Sequence, residues 1–116
     1  MAKTALTVQA IAQAGIIPTY QAVDAVNGNK FPNDGSTFLH IKNGSASPIT
    51  ATVTSVPDPY GRTGDIVINV AAGAEAVAGP YAPGLFNQGV GSADAGNAYV
   101  TFSSSTTVTA AVISLQ

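Results

Sequence analysis

The chain has no cysteine and no tryptophan, one histidine, and only four cations in 116 residues: Lys3, Lys30, Lys42 and Arg62. Without cysteine there is no disulfide framework and no thiolate metal site. Four cations against six acids, a formal charge of −2, cannot form the basic stripe that neutralises nucleic-acid phosphates, so nucleic acid is not an expected partner. One histidine and six dispersed acids supply no acid, base or nucleophile with a tuned neighbour, so the chain is not expected to be an enzyme or to use a cofactor or small-molecule substrate. No apolar run approaches the roughly 18 residues needed to cross a membrane as a helix, so no membrane partner is expected. Ala12-Gln13-Ala14 superficially matches a signal-peptidase site, but Gln9 and Gln13 interrupt a run already short for a leader, and the segment is expected to stay with the chain.

What remains is apolar, small and β-branched. Apolar residues make up 46% of the chain and charged ones 9%, with Ala, Val and Ile prominent. Thr recurs from Thr50 to Thr54 and from Thr101 to Thr109, where branched side chains suit a pleated surface. The length fits one domain able to close its own core. A surface so poor in charge lacks the repulsion that keeps monomers apart, which points to an assembly and to a homo-oligomer.

Six runs read as strands: Ser36–Lys42, Ile49–Val56, Asp65–Val70, Glu75–Tyr81, Ala98–Ser103 and Thr107–Leu115, with a further one near Tyr20–Val23. Within them Leu39, Ile41, Val53, Ile68, Val100, Phe102, Val108 and Val112 fall on alternate positions, giving each strand one core-facing edge. Asn43-Gly44, Ala72-Gly73 and Ser103-Ser104-Ser105 stand where hairpin turns are expected. The inventory predicts an all-β, two-sheet β-sandwich with Greek-key or jelly-roll connections over residues 24–116. Residues 1–23 are expected to form an N-terminal arm or short helix. Thr7 can cap a helix through Ala14 with Gly15 at its end, while Leu6, Val8 and Ala10 also alternate as in a strand. The stretch from Asp24 to Gly35 reads as a loop.

Candidate constellations are few. His40 lies mid-strand on the face opposite Leu39 and Ile41, alone, and reads as a surface or interface histidine. Asp24, Asn27, Asn29, Asn33 and Asp34 concentrate oxygen ligands, but their spacing matches no EF-hand and Lys30 sits among them, so turn chemistry is preferred to calcium and no metal site is expected. Asp58–Asp65 reads as an exposed polar connection rather than a carboxylate pair. Asn43-Gly44-Ser45 matches a glycosylation sequon but is read as a turn. Tyr60, Tyr81, Phe86 and Tyr99 are the only nearby material for a carbohydrate platform, and they are scattered.

Two segments, FPNDGSTFLHIKNGSASPITATV (Phe31–Val53) and AGPYAPGLFNQ (Ala78–Gln88), together with the opening ALTVQAIAQAG, resemble a family of small structural proteins of tailed-phage virions. The resemblance implies a virion component, with a decoration (cement) protein on the capsid exterior as the preferred role and the major capsid protein or other virion subunits as partners. Tail, neck or head-fibre protein, or a carbohydrate-binding sandwich, are the alternatives. The apolar opening segment is expected to make an intermolecular contact, with Leu6, Val8, Ile11, Ile16 and Ile17 as the capsid or subunit interface.

Overall fold

The computed structural model describes residues 3–56, 60, 63–89 and 93–114. Among them are ten strands and one short helix: β1 Thr4–Ala5, β2 Val8–Ala10, β3 Gln21–Ala22, β4 Asn29–Pro32, β5 Thr37–Asn43, β6 Ile49–Thr54, β7 Ile66–Val70, β8 Glu75–Ala78, α1 Pro83–Phe86, β9 Asn97–Phe102 and β10 Val108–Ser114. The first sheet runs β1-β4-β9-β6-β7 and the second β2-β10-β5-β8, with β3 also pairing β10. The fold is the expected all-β, two-sheet sandwich. Its pairing is nested: β4 with β9, β5 with β8, and β6 with β7, all antiparallel. Folding a long hairpin back on itself produces that nesting, which is the jelly-roll pattern.

Alternation builds the core. In β5, Thr37, Leu39, Ile41 and Asn43 are buried and the residues between them are not; in β6, Ile49, Ala51 and Val53 follow the same rule. Ala98, Val100 and Phe102 of β9 meet Val108, Ala110 and Val112 of β10 in one continuous cluster with Phe31. Each fully buried side chain of Val, Leu, Ile or Phe size stabilises by about 1.5–3 kcal/mol before ordering entropy is subtracted. Of the eight expected core positions only Ile68 is partly exposed, because β7 ends its sheet and leaves that flank uncovered.

The three expected hairpin turns are a correction. The connections after Asn43, Val70 and Phe102 each leave one sheet and enter the other, so they are arches across the sandwich. Asn-Gly supplies the bend an arch needs as readily as the one a hairpin needs, and the local sequence does not distinguish them. At Gly44 the absent side chain matters, since a Cβ would sit 3.1 Å from the Thr107 carbonyl oxygen. The Gly44 N–H donates to that same oxygen at 2.9 Å, tying two arches together.

Two further corrections concern the first third of the chain. No helix forms over residues 7–14: Val8–Ala10 takes the extended alternative as β2, paired parallel with β10 in the register Val112↔Val8 to Ser114↔Ala10, and a turn follows at residues 13–14. Within the stretch read as a loop, Asn29–Pro32 forms β4, paired on both sides. Polar Asn29 hid the alternation. It is fully buried opposite the chain's own backbone, accepting a hydrogen bond from the Asp24 N–H at 2.9 Å and donating to the Thr4 carbonyl at 3.1 Å.

Candidate interaction surface

The opening segment belongs to both sheets. Thr4–Ala5 lies parallel beside β4 in the first sheet and Val8–Ala10 parallel beside β10 in the second. Between them the chain crosses the edge of the sandwich at Leu6, which is 1% exposed, and Val8 packs against the core from the partner sheet. Leu6 therefore cannot serve as an intermolecular contact: its surface is used within its own domain. The other three expected interface residues fall outside the core, on the loop 10–18, with Ile11 47% and Ile17 94% exposed and Ile16 partly so.

Two glutamines hold this loop in shape. The Gln9 side chain donates from Nε2 to the Thr19 carbonyl and accepts from the Thr19 N–H, both at 2.8 Å. That reproduces with a side chain the double hydrogen bond of an antiparallel pair, and it closes the neck of the loop. Gln21 accepts from the Thr7 N–H at 2.8 Å and donates to the Ala5 carbonyl at 3.3 Å. Inside the loop the Gly15 N–H donates to the Ala12 carbonyl at 2.9 Å, with Gly15 at φ 91°, a conformation favourable only to glycine and a few polar residues. In the sequence Gln9 reads merely as an interruption of an apolar run. The available signal was its place on a strand facing a second polar segment.

Beyond the neck, the chain joins the second sheet as β3 beside β10, and the Tyr20 side chain reaches over that sheet's outer face to His40. Tyr20 Oη and His40 Nδ1 share a hydrogen bond of 2.7 Å, and the two rings meet edge to face at 5.2 Å. His40 Nε2 lies 2.9 Å from Glu75 Oε1, and the Lys42 ammonium stands 4.0 Å from the Tyr20 ring centroid. Ala111 is the outward-facing residue opposite His40, yet it is buried, on the face that the Tyr20 side chain reaches over. His40 thus occupies the outward face expected of it, and its work there is to seat Tyr20.

The oxygen-rich stretch divides between the two ends of β4. Asp24 accepts from the Asn27 and Val26 N–H groups and, through its other oxygen, from the Thr4 hydroxyl at 2.7 Å. These bonds, the Asn27 backbone bond foremost, hold its carboxyl down at about 2. Asp34 accepts from the Ser36 N–H and the Thr37 hydroxyl, and both lower its pKa. Both carboxylates are thus engaged in turn bonds, and Asn33 is tied to Tyr81 and Asn87. Elsewhere Lys30 bonds Asp94 at 2.6 Å, and the Tyr99 hydroxyl donates to the other Asp94 oxygen. The Lys30 bond leads in lowering the Asp94 carboxyl, while Asp94 raises the Tyr99 phenol. Of the polar connection Asp58–Asp65, Asp58 and Arg62 lie outside the described residues, as does Leu115.

The four aromatics considered for a carbohydrate platform do not share a face. Tyr60 is exposed, Tyr99 faces Asp94 on the outside of the first sheet, and Tyr81 and Phe86 are in the core with rings 5.4 Å apart. The Tyr81 hydroxyl is buried with no hydrogen-bond partner among the described residues, and burial pushes its phenol up to about 12. Tyr81→Phe is therefore expected to keep or raise stability at neutral pH, by up to about 1 kcal/mol, since it removes an unsatisfied group. The folded phenol titrates above the ordinary 10.0, so its contribution is complete below that pH and declines as pH rises towards 12. Urea unfolding across that range should show a shallower alkaline decline in the variant, and an equal decline would place the hydroxyl in contact with water.

Among the described residues no helix is long and apolar enough to cross a membrane, and no group of three or more His, Cys, Asp or Glu side chains could hold a metal ion. No protein-family model matches the chain, and neither does a curated protein or a solved structure.

Proposed function

We propose that this chain is a non-catalytic structural protein of a tailed-phage virion: a capsid decoration (cement) protein that binds the outer face of the shell and stabilises neighbouring major capsid subunits. The observation that carries the binding role is the loop 10–18, an apolar excursion closed at its neck by Gln9 and presenting Ile17 at 94% exposure. The resemblance of Phe31–Val53 and Ala78–Gln88 to virion proteins supplies the location.

Burying Ile17 and the exposed parts of Ile11 and Ile16 against a partner would yield up to about 1.5–3 kcal/mol each. A loop already closed loses less freedom when it docks, so more of that energy survives as affinity. A charge-poor surface suits close contact on both flanks.

The paired substitution Ile11→Asp and Ile17→Asp is expected to leave the melting temperature near that of the parent while weakening binding to undecorated particles about tenfold or more, tenfold being 1.4 kcal/mol. Co-sedimentation with particles measures it. Unchanged binding would remove the loop from the interface, and binding confined to tails or necks would overturn the capsid assignment.

A further inference from the structure

The sandwich has one laced side and one bare side. On the laced side, β1 and β2 run along the edges of the two sheets and Leu6 crosses between them. On the other side the sheets end at β7 and β8. Among the described residues, β7 has β6 as its neighbour and no strand on its outer flank. Its sequence is Ile66-Val67-Ile68-Asn69-Val70, with Ile66 39% and Val67 56% exposed. An edge strand offers a row of free N–H and C=O groups, and proteins that must stay apart blunt such edges with Lys, Pro or inward-facing charge. β7 carries none of these.

We infer that β7 is a dimerisation edge, pairing antiparallel with β7 of a second copy about a two-fold axis through Ile68. The sequence suits itself as a partner. Centring on Ile68 is the register that pairs all five residues: Ile66 faces Val70 of the second copy, Val67 faces Asn69, and Ile68 faces its own equivalent. Residues on the core-facing side, Ile66, Ile68 and Val70, then meet only their like, and partly exposed Ile66 and Ile68 are covered. Asp65 falls opposite Ala71, so the one charge flanking the strand meets no like charge. Isologous pairing of this kind closes after two copies and joins the five-stranded first sheets into one. The inference rests on the edge alone and does not depend on the virion reading.

The test uses the full chain. Sedimentation equilibrium from micromolar to several hundred micromolar is expected to show a monomer–dimer equilibrium, and Val67→Lys, at an exposed position, to weaken it about tenfold or more. Because the chain is free of cysteine, single cysteines report the register. Directly opposed strand residues have Cα atoms about 4.5–5.5 Å apart, within disulfide reach. Ile68→Cys should therefore oxidise to a covalent dimer faster than Asn69→Cys, whose equivalents are offset along the strands. A chain that stays monomeric throughout would overturn the inference and leave the edge to a strand of a different protein. A dimer indifferent to Val67→Lys, or one in which Asn69→Cys cross-links as fast as Ile68→Cys, would overturn it by placing the contact elsewhere.

Discussion

Replacing Leu6 with alanine is expected to lower the unfolding free energy by about 2–5 kcal/mol, the range for truncating a fully buried leucine. Leu6 is 1% exposed at the point where the arm passes from one sheet to the other, and its N–H donates to the Lys30 carbonyl at 2.8 Å. Truncation leaves a cavity between layers that both depend on the crossing, and the strands on either side restrict collapse into it. Removing residues 1–10 should do greater damage, since it strips β1 and β2 from both sheets and exposes the β4 and β10 edges. Ile17→Ala provides the contrast: at 94% exposure it should move stability by no more than about 0.5 kcal/mol. Urea midpoints of the two alanine variants make the comparison. Equal midpoints would show the arm to be a separate appendage.

Asn43→Ala is expected to destabilise by about 2–4 kcal/mol through lost and orphaned hydrogen bonds. Asn43 is 1% exposed. Its Nδ2 group donates to the carbonyls of Ser47, Val70 and Ala71 at 2.9, 3.1 and 3.1 Å. Its Oδ1 accepts from the Ser45 N–H and hydroxyl. One side chain therefore serves two of the arches between sheets, and alanine leaves the buried Val70 carbonyl without this donor. Asn43→Asp should be worse, because it exchanges two donors for a charge in the same buried place. A midpoint unchanged in Asn43→Ala would show that the arches hold without the side chain. Burial also keeps Asn43 from accepting a glycan, so the sequon reading fails on geometry.

The architecture was legible in the sequence where alternation was clean. Leu39 and Ile41, Val100 and Phe102, and Val108 and Val112 marked both their strands and their inward faces, because one buried side and one solvated side leave a period of two. Legibility failed where a polar residue points inward. Asn29 and Asn43 look like turn residues in the sequence, and their burial depends on backbone partners far along the chain, Thr4 and Val70 among them. It also failed for elements too short to show a period, such as β1 and α1. Of the five residues expected at an interface, the apolar pattern could not separate Leu6 and Val8, which serve the core, from Ile11, Ile16 and Ile17, which do not. The discriminating feature is the neck at Gln9 and Thr19, a contact between a strand and a segment ten residues later that hydrophobicity does not encode.

A cryo-EM map of the native particle tests the capsid assignment most directly. Density for this two-sheet sandwich is expected on the outer surface of the shell, with the loop 10–18 against a major capsid subunit. Density in the tail, neck or a fibre, or on the shell with that loop turned to solvent, would contradict it.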